Sequence, residues 1–188
     1  MSHQTINLNC QLQDIYITII YVVLLIPSLL VVKETRTRIS NLESGIRILY
    51  FLPLTVGALL GYVFLVMPLL SHLPILNLSW LGYNIAAGPL AHQGLIGIIP
   101  FIPLLVYMLI HVNYFEEYYF RKSSKHVVLW GFLHLLMGVS LSAVFIIMPL
   151  GFFYKYIYSR YGINQAYALH FATNIVLIVV TICSYFFL

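Results

Sequence analysis

The nine basic residues of this chain fall into three short clusters, and that confinement limits what the chain can become more than any other feature. Lys33, Arg36, Arg38 and Arg47 form the first cluster, Arg121, Lys122 and Lys125 the second, and Lys155 and Arg160 the third. No Lys or Arg lies before residue 33, between 48 and 120, or after 160. Long apolar stretches separated by small positive clusters are the pattern of a polytopic membrane protein, whose Lys and Arg gather on the cytoplasmic side. Composition agrees. Of 188 residues 7% are charged and 62% hydrophobic, with mean hydropathy +0.97, whereas a soluble domain carries about a quarter charged residues. At about 20 residues per span, the length holds roughly five to seven crossings and leaves no room for a separate soluble domain.

The same placement explains the basic pI near 9.1. The net charge of +4 is topological, because no basic stripe with interleaved aromatics leaves the membrane surface, and nucleic acid is excluded as a partner. Cys10 and Cys183 form no metal or redox motif. The first apolar stretch has no positive residue before it and no small-residue cleavage site after it, so it reads as a retained span.

The predicted architecture is an all-α polytopic bundle of about six membrane segments. Residues 14–32 form a first span, followed by a polar basic loop from Lys33 to Glu43. Residues 46–70 form a second, with Pro53 and Pro68 as kinks. Ser71 to His92 is uncharged and rich in turn residues, an interfacial or re-entrant loop on the outer side. Residues 93–115 span again, carrying Pro100 and Pro103. His126 to Tyr154 is 29 residues, and a single crossing would strand Lys155 and Arg160 outside. A hairpin turning near Gly138-Val139-Ser140 returns them to the cytoplasm, and the last span runs from Gln165 to Leu188. Residues 1–92 thus supply two spans and an outer loop, and 93–188 the polar helices, within one membrane domain with both termini outside.

Three motifs break the hydrocarbon: Glu116-Glu117-x-x-x-Arg121, Trp130-x-x-x-His134 and His170-x-x-x-Asn174. Ionisable and amide side chains are expensive in a membrane segment and mark functional sites by default. Residues four apart share a helix face, so His170 and Asn174 point one way, as do Trp130 and His134. Glu117 and Arg121 have the favourable Glu-first order, which holds Glu117 as the anion and leaves Glu116 free to point elsewhere. A carboxylate, an imidazole and a pair of donors in a water-poor cleft suit hydrolysis. Glu acts as general base on water, His positions that water or shuttles its proton, and a second His with an Asn stabilises the oxyanion.

In this order, the motifs resemble those of the CPBP intramembrane protease family, which includes the type II CAAX prenyl endopeptidases. The similarity extends over Tyr158-Ser-Arg-Tyr-Gly162 and Ala166-Tyr-Ala-Leu-His170-Phe-Ala-Thr-Asn174, and covers roughly residues 110–180. It implies a membrane peptidase whose catalytic residues are Glu116, His134, His170 and Asn174, supported by Glu117 and Arg121. Zinc or another divalent metal, where one is used, would be held by Glu116, His134 and His170. The substrate implied is a peptide or membrane protein cleaved near the cytoplasmic leaflet, in the plasma (inner) membrane. The chain departs from the family at Trp130, where Phe is usual, and at Lys122, where Gly is common. Glu116 and His134 stand only 18 residues apart, closer than in relatives.

Each motif alone has a plainer reading. Glu116 and Glu117 sit among Tyr114, Phe115, Tyr118 and Tyr119, which fits an aromatic belt with a solvated charged face. His134 fits an interior histidine satisfied by a backbone carbonyl, and His170 and Asn174 fit interhelical hydrogen-bond glue. Two other functions stay open. One is a catalytically inactive relative that scaffolds another membrane complex, and the other a haem or metal protein using His134 and His170.

Overall fold

Apolar chain in a bilayer must satisfy its backbone internally, and this chain does so with helices. The computed structural model describes residues 29–70, 72–76, 102–137 and 139–187, together with Ile19, Val23 and Ile26. Helices α1 (Thr35–Gly45), α2 (Leu52–Gly61) and α3 (Met67–Leu70) belong to one continuous helical run. Helices α4 (Ile102–Phe120), α5 (Ser124–Leu133), α6 (Leu141–Tyr161) and α7 (Ile163–Phe187) follow. Among the described residues all regular structure is helical. Three helices there are long and apolar enough to cross a membrane: Val32–Leu70, Leu141–Tyr161 and Ile163–Val180. The protein is therefore a membrane protein, helical in its regular structure among the described residues. Most of the first expected span (14–32), most of the outer loop (71–92) and residues 93–101 lie outside the described residues.

One expectation is corrected. The basic segment Lys33 to Glu43 is helix, not loop, because α1 begins at Thr35 and continues through it. Glu34 and Arg38 pair one turn apart, and α1 lies against α7, where Asn164 Nδ2 donates to Ser44 Oγ at 2.8 Å. Polar composition signalled a loop, but packing supplies what propensity lacks. Two of the prolines expected as kinks lie where the α-helical hydrogen-bond pattern changes. Pro53 sits in the first turn of α2, just after a 3-10 stretch over Ile46–Phe51. Pro68 cannot donate to the ladder and its ring crowds the carbonyl four residues back, and the preceding turn, Tyr62–Val66, is a π-helix.

Among the described residues α5 and α6 form an antiparallel pair, the arrangement a hairpin after His134 requires. Ser123 caps α5 by accepting from the His126 N–H at 3.2 Å. A 3-10 turn, His134–Met137, ends that arm, and α6 starts at Leu141. Ser124 meets Lys155, Val127 and Trp130 meet Gly151, and Gly131 meets Met148, so α5 and α6 run antiparallel. The second arm is not short, however: α6 continues to Tyr161 and carries Lys155 and Arg160 on its last turns. Gly162, at φ +99°, closes α6 and lets α7 start at once. Only glycine adopts that conformation without strain.

Helix α7 is the hub, packed against α1, α2, α4 and α6. Its buried face carries Ala166, Tyr167, Ala168, Leu169, His170 and Thr173. Small residues let backbones approach, the usual means of helix association where lipid is as apolar as the side chains. A methyl group on Gly45 would stand 2.1 Å from the Asn164 carbonyl oxygen, whereas one on Gly57 would meet nothing within 4 Å. We expect Gly45→Ala to cost about 2 kcal/mol, as overpacking does, and Gly57→Ala nothing. Thermal unfolding of both variants in detergent checks this.

Candidate functional site

Three elements deliver the polar side chains to one place. The end of α4 carries Asn113, Glu116 and Glu117, with Arg121 in the turn that follows. The start of the 3-10 turn after α5 carries His134, and the middle of α7 carries His170 and Asn174. Continuing α4 through Phe120 keeps Glu117 and Arg121 in helical register, and they form a two-pronged pair. Arg121 Nε lies 3.0 and 2.9 Å from the two Glu117 oxygens, and Nη2 lies 2.7 Å from Oε1. Both side chains are fully buried.

His170 Nδ1 donates to Glu117 Oε1 at 2.8 Å, so this carboxylate is ligated by two helices. The guanidinium lies over the Trp130 ring at 4.0 Å and is 5.5 Å from the Tyr154 ring centre. The His170 imidazole stacks on Tyr154 at 4.8 Å and meets Trp130 edge-on at 5.7 Å. An ion pair stripped of water is tolerated only when its remaining valences are met, and here a histidine and two aromatic faces meet most of them. Gly151 makes room for this arrangement, since a methyl group there would stand 2.7 Å from Trp130 Cζ3.

Glu116 is placed differently from its neighbour. It is 18% exposed, and its Oε2 lies 3.7 Å from His170 Nε2, too far for a direct hydrogen bond. It also lines a cavity of about 660 Å³ between the start of α1 and the flank of α4. The walls of that cavity are mainly aromatic, from Tyr114, Phe115, Tyr118, Tyr119 and Phe120, with Arg38 and His111 towards its other end. His134 donates Nδ1–H to the Trp130 carbonyl at 2.8 Å, which leaves Nε2 as its free nitrogen. Its ring meets Trp130 edge-on at 4.6 Å, and it lies within electrostatic reach of Glu116, His170 and Arg121.

Glu116, Glu117, Arg121, His134 and His170 are thus gathered around Trp130 and Tyr154. Asn174 lies one turn further along α7 and donates Nδ2–H to Asn113 Oδ1 at 3.0 Å. Among the described residues no group of three His, Cys, Asp or Glu side chains is arranged to hold a metal ion. In the set Glu116, His134 and His170 each histidine uses Nδ1 and keeps Nε2, the nitrogen a metal would need, but the three side chains do not converge as a ligand group. A haem between the two histidines does not fit either, because Trp130 packs against both rings.

Sequence reasoning missed Asn113, Tyr154 and the pair His111 and Thr35, whose Nε2 and Oγ1 lie 3.0 Å apart. The signal for Asn113 and His111 was present: both are polar residues in the apolar α4, three and five positions before Glu116. Tyr154 carried no signal, since aromatic residues abound throughout the chain.

Removing one partner of a buried pair strands the other charge. Arg121→Met should therefore destabilise the protein by about 3–5 kcal/mol, and Arg121→Lys should recover only part, because an ammonium cannot reproduce the planar fork. Thermal unfolding in detergent measures both. The chain matches no protein-family model, no curated protein and no solved structure.

Proposed function

We propose that this protein is a membrane-embedded peptide hydrolase of the kind its resemblance to CPBP proteases implies, with Glu116 as the base. The observation that carries the reading is the division of labour between adjacent glutamates. Glu117 is fully buried and spent on Arg121 and His170, whereas Glu116 is partly exposed, borders a cavity and faces His170 Nε2 without bonding it. A structural belt of charged residues has no use for that asymmetry.

In this reading a substrate segment lies in the aromatic-walled cavity. Glu116 takes a proton from water, and the oxygen adds to the peptide carbonyl carbon. The C–N bond then breaks, and the amine leaves with the proton that Glu116 had accepted. His170 Nε2 and His134 Nε2 orient the water and relay that proton. Asn174 donates to the oxyanion as charge develops on it. No metal is invoked, and the chemistry needs none.

The base assignment is tested with purified protein in detergent micelles, using labelled casein and a set of quenched fluorescent apolar peptides. Glu116→Gln should lower cleavage by at least about 100-fold, the usual weight of a general base, with unfolding temperature unchanged. Equal cleavage by wild type and variant would discard the assignment. A wild-type chain that cleaves nothing would favour an inactive scaffold for another membrane complex.

The finer topology belongs to the same proposal. We place six segments in a plasma membrane with both termini outside and all three basic clusters in the cytoplasm, which sets Glu116 near the cytoplasmic face. Cys10 precedes every predicted span. A membrane-impermeant maleimide should label Cys10 in intact cells of a Cys183→Ala variant, and labelling only after lysis would invert the topology.

A further inference from the structure

Asn113 is the one buried amide near the site whose hydrogen-bonding capacity is left half used. It precedes Glu116 by three residues and Glu117 by four, so it shares their face of α4. It is 2% exposed, and its Oδ1 accepts from Asn174. Its own Nδ2 is buried with no acceptor, as are Arg121 Nη1 and Trp130 Nε1 at the same site. Buried polar groups in native proteins are nearly always paired, and exceptions call for a specific cause.

Interhelical glue elsewhere in this chain looks different. Thr55 and Thr173 lie 3.1 Å apart, and each hydroxyl also has a carbonyl of its own helix, Leu52 and Leu169 respectively. That pair is fully satisfied. An amide kept only to join α4 to α7 would be satisfied in the same way.

The arrangement of donors supplies the cause. His170 has Nδ1–H on Glu117 and Nε2 turned towards Glu116, so it is not free to donate to an oxyanion. The Asn113 and Asn174 amides sit one helical turn from the Glu116 and His170 pair, roughly 5 Å along the helices. A water held by the carboxylate at about 3 Å, in near-attack contact with a carbonyl carbon at about 3 Å, sets the carbonyl oxygen at that level. We infer that Asn113 is a further catalytic residue, its free Nδ2–H donating to the oxyanion beside Asn174. This rests on the hydrolase reading above and adds a residue that the three motifs do not contain.

Two nearly isosteric variants test it in the cleavage assay above. Asn113→Leu removes both polar atoms, and Asn113→Asp keeps an oxygen for Asn174 but replaces the free donor with an acceptor. Loss of one oxyanion donor typically costs about 100-fold or more in kcat. Both variants should lose at least about tenfold in kcat with KM within about twofold; Asn113→Leu also strands the Asn174 donor and should unfold below wild type, whereas Asn113→Asp keeps an acceptor for it. If Asn113→Leu does not fold, Asn113→Asp decides alone. Wild-type kcat in Asn113→Asp would show a purely structural amide and overturn the inference while leaving Glu116 in place. Cleavage that is equally insensitive to Glu116→Gln, or absent from the wild type, would overturn the hydrolase reading and this inference together.

Discussion

The Glu117 carboxylate, fully buried and gripped by Arg121 and His170, is the constraint on which the rest of the site depends. An ionised pair in a water-poor interior is favourable only when geometry is tight and its remaining valences find partners, and here all but Arg121 Nη1 do. Meeting that demand fixes the end of α4, the turn after it and the middle of α7 relative to one another. It also fixes Trp130 and Tyr154, whose rings enclose the guanidinium and imidazole. Small residues then become compulsory where those rings press on a neighbouring helix, as at Gly151.

From that anchor the placement of the remaining polar groups follows. With Glu117 committed, helical rotation of about 100° per residue turns Glu116 away towards the cavity beside α1. With His170 Nδ1 committed to Glu117, only Nε2 is left to face Glu116. With His134 Nδ1 committed to the Trp130 carbonyl, its Nε2 is likewise the nitrogen left over. The structure thus divides polar atoms into those that hold the site and those that remain available to a ligand. The second group is what gives the site chemical potential.

Much of this was legible in the sequence. The clustering of Lys and Arg gave the membrane class, and four-residue spacing paired Glu117 with Arg121 on one face. Charge placement favoured a turn near Gly138, which would return Lys155 and Arg160 to the side of Arg121, and α5 and α6 pack antiparallel. Other features were not legible. The basic segment after Lys33 looked like a loop because its residues are polar, whereas α1 there is a helix packed on α7 and α4. Asn174 looked like a partner of His170 because both lie on one face, yet its amide engages Asn113 on α4. Local spacing specifies which side chains share a face, but not which other helix that face meets.

The sequence by itself determined that this protein lives in a membrane as a helical bundle, and which residues are too costly there to be incidental. Both follow from local physics, the transfer cost of charged groups and the period of the helix. Only the tertiary structure decided which glutamate is bound and which is free, which nitrogen of each histidine is spent, and that Asn113 joins the site. Those assignments depend on distances between helices that are remote in sequence, set by the packing of α4 and α6 against α7 and of α5 against α4 and α6, and by the hydrogen bonds that burial makes obligatory.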